Sequence, residues 1–327
     1  MRLFVTGGAG FIGSNFVRMA ISGRLPGLED AEITVFDALT YSGTLSNLAE
    51  VKDSPRFNFI EGDIRDASAV EVALENHDAI VHFAAESHVD RSVADSTIFV
   101  ETNVLGTQVL LDQALALHIP RFVHVSTDEV YGSIDEGSWD EEQPLLPNSP
   151  YSASKASSDL LVRSYHTTHG LNTSITRCSN NYGPHHFPEK VIPLFVTNLL
   201  DGKQVPLYGD GENVRDWLHV DDHCRGIAKV LLQGRAGEVY NIGGGTELTN
   251  KELTYLLLDA TGRDDSSIKK VADRKGHDRR YSVDIGKISN ELGYAPEVDF
   301  EKGLADVVQW YRDNRWWWEP LKKRAGL

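Results

Sequence analysis

Residues 125–132 read VSTDEVYG, and after a Pro-rich loop residues 151–155 read YSASK. Tyr151 and Lys155 are four residues apart, so on a helix they share one face. An ammonium beside a phenol favours the phenolate and lowers the tyrosine pKa from about 10. Such a tyrosine can remove a hydroxyl proton while hydride leaves the same carbon. Thr127 or Ser126 could hydrogen-bond that hydroxyl. The plain alternative is a chance Tyr-x-x-x-Lys on a surface helix.

Hydride transfer alone has no need of Asp128 and Glu129 placed back to back. Oxidising a sugar carbon to a ketone acidifies the C–H beside it. A base there can abstract that proton while an acid protonates a leaving hydroxyl one carbon further on, and water is lost. The two jobs need one carboxyl ionised and one protonated, and neighbouring carboxylates split their pKa values that way. On an uninterrupted strand, however, consecutive side chains point to opposite faces. Both acids can face one pocket only if the chain bends at or just after Thr127. Otherwise one acid caps a following turn and the other is solvated.

The elements that must position these residues show in the hydrophobic pattern. Short apolar runs at RLFVTG, EITVFD, FNFIEGD, AIVHFAA, RFVHVST and NTSITRC read as strands. GFIGSNFVRMAISG and TIFVETNVLGTQVLLDQALAL have helical spacing, and SPYSASKASSDLLVRSYHTTHG opens on a Ser-Pro cap signal. Strands alternating with helices predict right-handed crossovers and an α/β fold with a Rossmann-type, doubly wound parallel sheet. After about Arg177 the rhythm breaks. SNNYGPHHFPEKVIP reads as loop, followed by a helix at LFVTNLLDG and a strand at VPLYGDG. RDWLHVDDHCRGIAKVLLQG returns to strand and helix, EVYNIGGG is a strand, and NKELTYLLLDATG and EKGLADVVQWYRDN are helices. The expected organisation is a nucleotide-binding domain of residues 1–176 plus 216–242 and a smaller mixed α/β domain of residues 177–215 plus 243–327.

Gly7, Gly10 and Gly13 form G-x-x-G-x-x-G at a strand-to-helix turn, with an acid, Asp37, ending the second strand. The glycines let backbone approach a pyrophosphate, and the helix start offers free N–H groups and a positive dipole end. A carboxylate at Asp37 can accept from both ribose hydroxyls and repels a 2′-phosphate, which favours NAD over NADP. A bound nicotinamide cation would also favour the Tyr151 phenolate. Asp63 ends the third strand, where it can reach an adenine amino group or cap the helix that follows.

The chain has 327 residues, enough for a sizeable core, and a formal net charge of −16. That field argues against nonspecific binding to nucleic acid or anionic membrane, and a negatively charged substrate needs local cations. The only cysteines, Cys178 and Cys224, are far apart in sequence and offer neither a disulfide framework nor a metal-ligand cluster, so no metal is expected. The start, MRLFVTGGAG, lacks the basic and long apolar regions of a signal peptide, and no segment is apolar enough to span a bilayer, so a cytoplasmic protein is expected.

TGGAGFIGSNFV, DALTYSG, HFAAESHVDRS, STDEVYG, SPYSASKASSDLLV, NNYGPHHFPEKVIP, VRDWLHVDDH and ADRKGHDRRYSVD together resemble the extended short-chain dehydrogenase/reductase family. Within it they are most similar to the dTDP-glucose 4,6-dehydratase group, over nearly the whole chain. The Thr-Asp-Glu triplet is the specific part: sugar-nucleotide 4-epimerases lack the acid pair, and GDP-mannose 4,6-dehydratases and UDP-glucuronate decarboxylases usually carry a single Glu there. The resemblance implies that Tyr151, with Lys155 and Thr127, takes a 4-hydroxyl proton as hydride passes from C4 to NAD. Glu129 then removes the C5 proton, Asp128 protonates the departing 6-hydroxyl, and hydride returns to C6. It further implies that Phe11, Ile12, Asp37, Thr40, Asp63, Ile64, Ala84, Thr102, Tyr151, Lys155 and Asn181 touch NAD. Ser87, Thr127, Asn180, Lys190, Arg215, Asn250, Arg274 and His277 would touch the sugar nucleotide. Lys190, Arg215 and Arg274 make sense as cations for a diphosphate, and His277 could equally be a plain surface residue. The other readings are a UDP-glucose 4,6-dehydratase, a 4-epimerase or a decarboxylase on the same scaffold, or a nucleotide-sensing protein without activity. RWWW at residues 315–318 reads as core packing of a helix end. Family members commonly pair the helices near 98–117 and 151–168 in a homodimer, and packing within one subunit is the alternative for their apolar excess.

Overall fold

The computed structural model describes every residue except Arg274 and Lys275. Among the described residues, twelve strands run β1 (Arg2–Thr6), β2 (Glu32–Asp37), β3 (Phe57–Glu61), β4 (Ala79–His82), β5 (Phe122–Thr127), β6 (Thr173–Cys178), β7 (Asn180–Tyr182), β8 (Val205–Tyr208), β9 (Val214–His219), β10 (Val239–Ile242), β11 (Glu247–Thr249) and β12 (Ile268–Val271). Seven of them form one sheet in the order β10-β6-β5-β4-β1-β2-β3, and every pairing in it is parallel. β4, β5 and β6 are buried along their whole length, as strands covered by helices on both faces must be.

Alternation along each strand feeds two core layers. Leu3, Val5, Val35 and Val81 pack with Phe16, Val17 and Ile227, from the helices Phe11–Ile21 and Val220–Gln233. Phe4, Phe36, Ile80 and Phe122 pack with Leu110 and Val162, from the helices Gly106–Ala116 and Pro150–His169. The chain order reverses between β1 and β4, and in open sheets that switch point leaves a crevice at the C-terminal strand ends. The glycine turn after β1 and the acid pair after β5 both open onto it.

The remaining strands form a three-stranded sheet, β11-β9-β7, and a two-stranded one, β12-β8. With the helices Val191–Leu200, Asn250–Thr261, Phe300–Asp313 and Arg315–Arg324 they enclose a second core around Trp217, Leu257, Val307 and Trp318. Trp317 and Trp318 are buried in that core as expected, and Trp316 is exposed. The segment read as loop contains β7, three residues paired parallel with β9. The pairing is made by backbone, so side-chain composition hides it.

Candidate active site

β5 ends at Thr127, and the backbone turns at once into a 3-10 turn over Asp128–Tyr131. The Thr127 hydroxyl starts that turn, accepting from the Glu129 N–H at 3.3 Å and donating to Asp128 Oδ1 at 3.2 Å. Gly132 ends it at φ +90°, where a Cβ would lie 2.4 Å from the Leu146 carbonyl oxygen. This is the bend the acid pair requires: Asp128 and Glu129 both line one cavity of about 670 Å³ at the strand ends. Asp128 is 2 % exposed, and its Oδ2 has no hydrogen-bond partner among the described residues. Burial raises its pKa well above the carboxylate range, the charges of Glu129 and Asp216 add to this, and Arg215 and the Thr127 bond oppose it. Burial and like charge therefore both favour the neutral form of Asp128.

Tyr151 and Lys155 come from the first turns of the helix Pro150–His169, whose start is fixed by a Ser149/Ser152 capping box and Pro150. Both side chains line the cavity and both are buried. Lys155 Nζ donates to the Val125 carbonyl oxygen on β5 at 2.9 Å. Burial lowers its pKa to about 8, with the Asp159 carboxylate one turn further on opposing. Tyr151 departs from expectation. Burial raises its pKa well above 10, Glu129, Cys178 and Asp128 add to the rise, and a hydrogen bond with Thr127 opposes it. The Lys155 ammonium, turned to a carbonyl, is not among the main influences on the phenol.

Behind this pair the helical stretch from Thr97 to Ala116 relaxes into a π-helical turn over Val100–Leu105. In that turn Asn103 accepts from the Glu86 N–H at 2.8 Å and donates to Ser154 Oγ at 2.8 Å. It thereby ties the loop after β4 to the helix of Tyr151. π-turns recur at functional sites for this kind of reason: they re-aim one side chain.

At the other end of the cavity the glycine turn is shaped for close approach. Gly7 has φ +68°, and a Cβ there would sit 2.5 Å from the Ala84 nitrogen; one on Gly13 would sit 2.4 Å from the Gly7 carbonyl oxygen. Gly10 is the N-cap of the helix Phe11–Ile21 and supplies no side-chain cap, so the first N–H groups remain for an anion. Asp37 accepts from the Ala9 N–H at 2.9 Å and the Leu39 N–H at 2.8 Å and keeps further lone pairs for ribose hydroxyls. Asp63 is paired with Arg65 at 2.7 Å. It does not cap the next helix: Asp66 does, accepting from the Ser68 and Ala69 N–H groups. Gly7, Gly10, Phe11, Ile12, Gly13, Asp37, Thr40, Asp63, Ile64, Ala84, Thr102 and Asn181 all line the cavity, a donor set and shape that fit a dinucleotide.

Ser87, Asn180, Lys190, Arg215, Asn250 and His277 line the same cavity; Arg274 lies outside the described residues. Arg215 is held by the Val214 and Asp278 carbonyl oxygens and lies 4.2 Å from the Tyr281 ring centroid, so neutral groups fix its position. Lys190 Nζ donates to the Ser87 carbonyl oxygen at 2.6 Å. His277 is no surface residue: its side chain is 4 % exposed and pairs with Asp273 at 2.7 Å. Cys178, His186, Tyr208 and Tyr281 also line the cavity, though sequence reasoning assigned none of them to the site; His186 and Tyr281 lay within the motifs that carried the resemblance.

The profile of the family described as GDP-mannose 4,6 dehydratase matches residues 4–307. A dTDP-glucose 4,6-dehydratase of Streptomyces antibioticus is 64% identical over 327 residues, covering 100% of this chain and 97% of that protein. The crystal structure of DesIV, a dTDP-glucose 4,6-dehydratase from Streptomyces venezuelae with NAD and TYD bound, superposes with a TM-score of 0.97 at 65% identity, covering 98% of this chain and 100% of that one. A UDP-glucose 4-epimerase of Thermotoga maritima with UDP-glucose has a TM-score of 0.88 at 32% identity, covering 96% and 100%. The chain belongs to the GDP-mannose 4,6 dehydratase family and, within it, to the dTDP-glucose 4,6-dehydratases.

Proposed function

We propose that the protein converts dTDP-glucose to dTDP-4-keto-6-deoxyglucose and water. The observation that carries this reading is the 3-10 turn after β5, through which a buried Asp128 and Glu129 line one cavity with Tyr151 and Lys155. Bound NAD would supply the hydride acceptor for C4 and the hydride donor for C6. Burial alone holds Tyr151 as the phenol, and the positive nicotinamide ring of bound NAD would favour its phenolate, the form that accepts the 4-hydroxyl proton, with Thr127 hydrogen-bonded to it. Glu129 takes the proton from C5, and Asp128 gives its proton to the departing 6-hydroxyl, so the bond to that oxygen breaks as water leaves; a proton returns to C5 from Glu129 as hydride adds at C6. Gly7, Gly10 and Gly13 admit the cofactor pyrophosphate, and Asp37 holds its ribose. Lys190 and Arg215 offer charge to the substrate diphosphate, Ser87, Asn180, Asn250 and His277 offer polar contacts, and Arg274 joins them by resemblance alone. The first part of the chain, residues 1–176 plus 216–242, serves the cofactor, and residues 177–215 plus 243–327 serve the sugar nucleotide.

The reading extends to a cytoplasmic homodimer. No helix among the described residues is long and apolar enough to cross a membrane. Val100 and Leu160 are more than half exposed, on the neighbouring helical stretches expected to pair between subunits.

The decisive experiment offers dTDP-glucose, UDP-glucose and GDP-mannose separately and follows the product by mass. Loss of one water from dTDP-glucose is expected, and no loss from any of the three refutes the reading. Asp128→Asn should slow water loss at least a hundredfold while C4 oxidation persists, seen as absorbance of reduced nicotinamide. Unchanged turnover in that variant removes Asp128 from the mechanism.

A further inference from the structure

Thr40, Ser42 and Gly43, in the loop after β2, line the cavity beside Asp37. Tyr41, between them, is gripped from several directions. The Arg91 guanidinium lies 3.8 Å from its ring centroid, and Arg91 pairs with Glu189 at 3.1 Å. Phe187 meets the same ring edge-on at 5.7 Å. From the helix Arg315–Arg324, Arg324 donates to the Tyr41 carbonyl oxygen at 2.6 Å and lies 5.9 Å from the Phe187 ring. Two turns earlier in that helix, Trp317 Nε1 donates to Asn47 Oδ1 at 2.9 Å, and Asn47 donates to the Ala9 carbonyl oxygen at 2.9 Å, inside the glycine turn. The loop is thus fastened at Tyr41 and at Asn47 by a helix that begins more than 250 residues further along the chain.

Loops of this kind stay mobile unless they are tied down. These ties converge on the stretch facing Asp37, and they matter to a reaction that removes hydride from a sugar and returns it to the same molecule. A cofactor lost midway would strand a keto sugar. We infer that Tyr41 and Arg324 are positioning residues: they hold residues 38–44 closed over the ribose beside Asp37 and set how fast the dinucleotide leaves. The inference rests on the reading of the cavity as an NAD site.

The test loads purified protein with NAD, passes it through a desalting column and counts nucleotide per chain against time. Tyr41→Ala and Arg324→Ala should each release NAD about tenfold faster than the parent. Adding NAD in excess should restore their turnover, which a general loss of folding would not allow. Tyr41→Phe keeps the ring under Arg91 and should release NAD at close to the parental rate. If Tyr41→Ala fails to fold, Arg324→Ala, altered at the surface, carries the test. Parental release rates in both alanine variants, or turnover that added NAD does not restore, overturn the inference. A parent that takes up no NAD overturns the functional reading instead.

Discussion

Asp128 and Lys155 are both ionisable groups that burial has driven toward neutrality, and their different partners leave them in different states. Asp128 faces Glu129 and Asp216, so like charge reinforces burial. Lys155 has Asp159 one turn away, and its pKa of about 8 keeps the ammonium at neutral pH. The ammonium is the form that burial disfavours, so its cost is present below about pH 8 and is relieved as pH rises toward the unfolded value of 10.5. A shift from 10.5 to about 8 corresponds to about 3 kcal/mol, from which about 1 is subtracted for the Val125 carbonyl left without its donor. Lys155→Met should therefore abolish turnover yet gain about 2 kcal/mol in urea unfolding at pH 7, with the gain shrinking by pH 9.5. An equal gain at both pH values would contradict this account. Tyr151, Lys155, Asp128 and Glu129 were legible as a group because residue type and spacing announce the chemistry. Their protonation was not: the upward shift of Tyr151 comes first from burial, which only the folded chain sets, and then from Glu129, Cys178 and Asp128 brought around it.

At the scale of elements, the turn Asp128–Tyr131 converts two neighbouring positions of a strand into two groups on one wall. Its stop, Gly132, combines a left-handed φ of +90° with no room for a Cβ. Gly132→Ala should cost about 2 kcal/mol or more in stability, and it should lower turnover further than cofactor binding because the displaced turn carries both acids. Urea midpoints and NAD content, measured side by side, check both halves; a variant with parental stability would show that the strain is absorbed elsewhere. The central strands were legible because each is a short apolar run between turn signals. The bend after Thr127 could only be required, not read. β7 and the π-helical turn were invisible, since one depends on backbone pairing and the other on Asn103 meeting Glu86 and Ser154.

Considered whole, the molecule places a cavity where two cores meet, with the seven-stranded sheet supplying one wall and the smaller sheets the other. Every described residue that motif or resemblance singled out lines that cavity, because such residues sit at strand ends and the sheet gathers strand ends at one edge. The proposed subunit contact uses the outer faces of the helices packed on one face of that sheet, including the helix that carries Tyr151 and Lys155. Leu160→Asp should convert the dimer to monomer in sedimentation without lowering NAD content, whereas a parent that already sediments as a monomer would remove the basis for that contact. The bond from Trp317 to Asn47 has a further consequence, for biosynthesis. A nascent polypeptide must emerge through residue 317 before its own nucleotide cradle can be braced, so ribosome-bound chains shorter than that should present an unfinished mononucleotide fold.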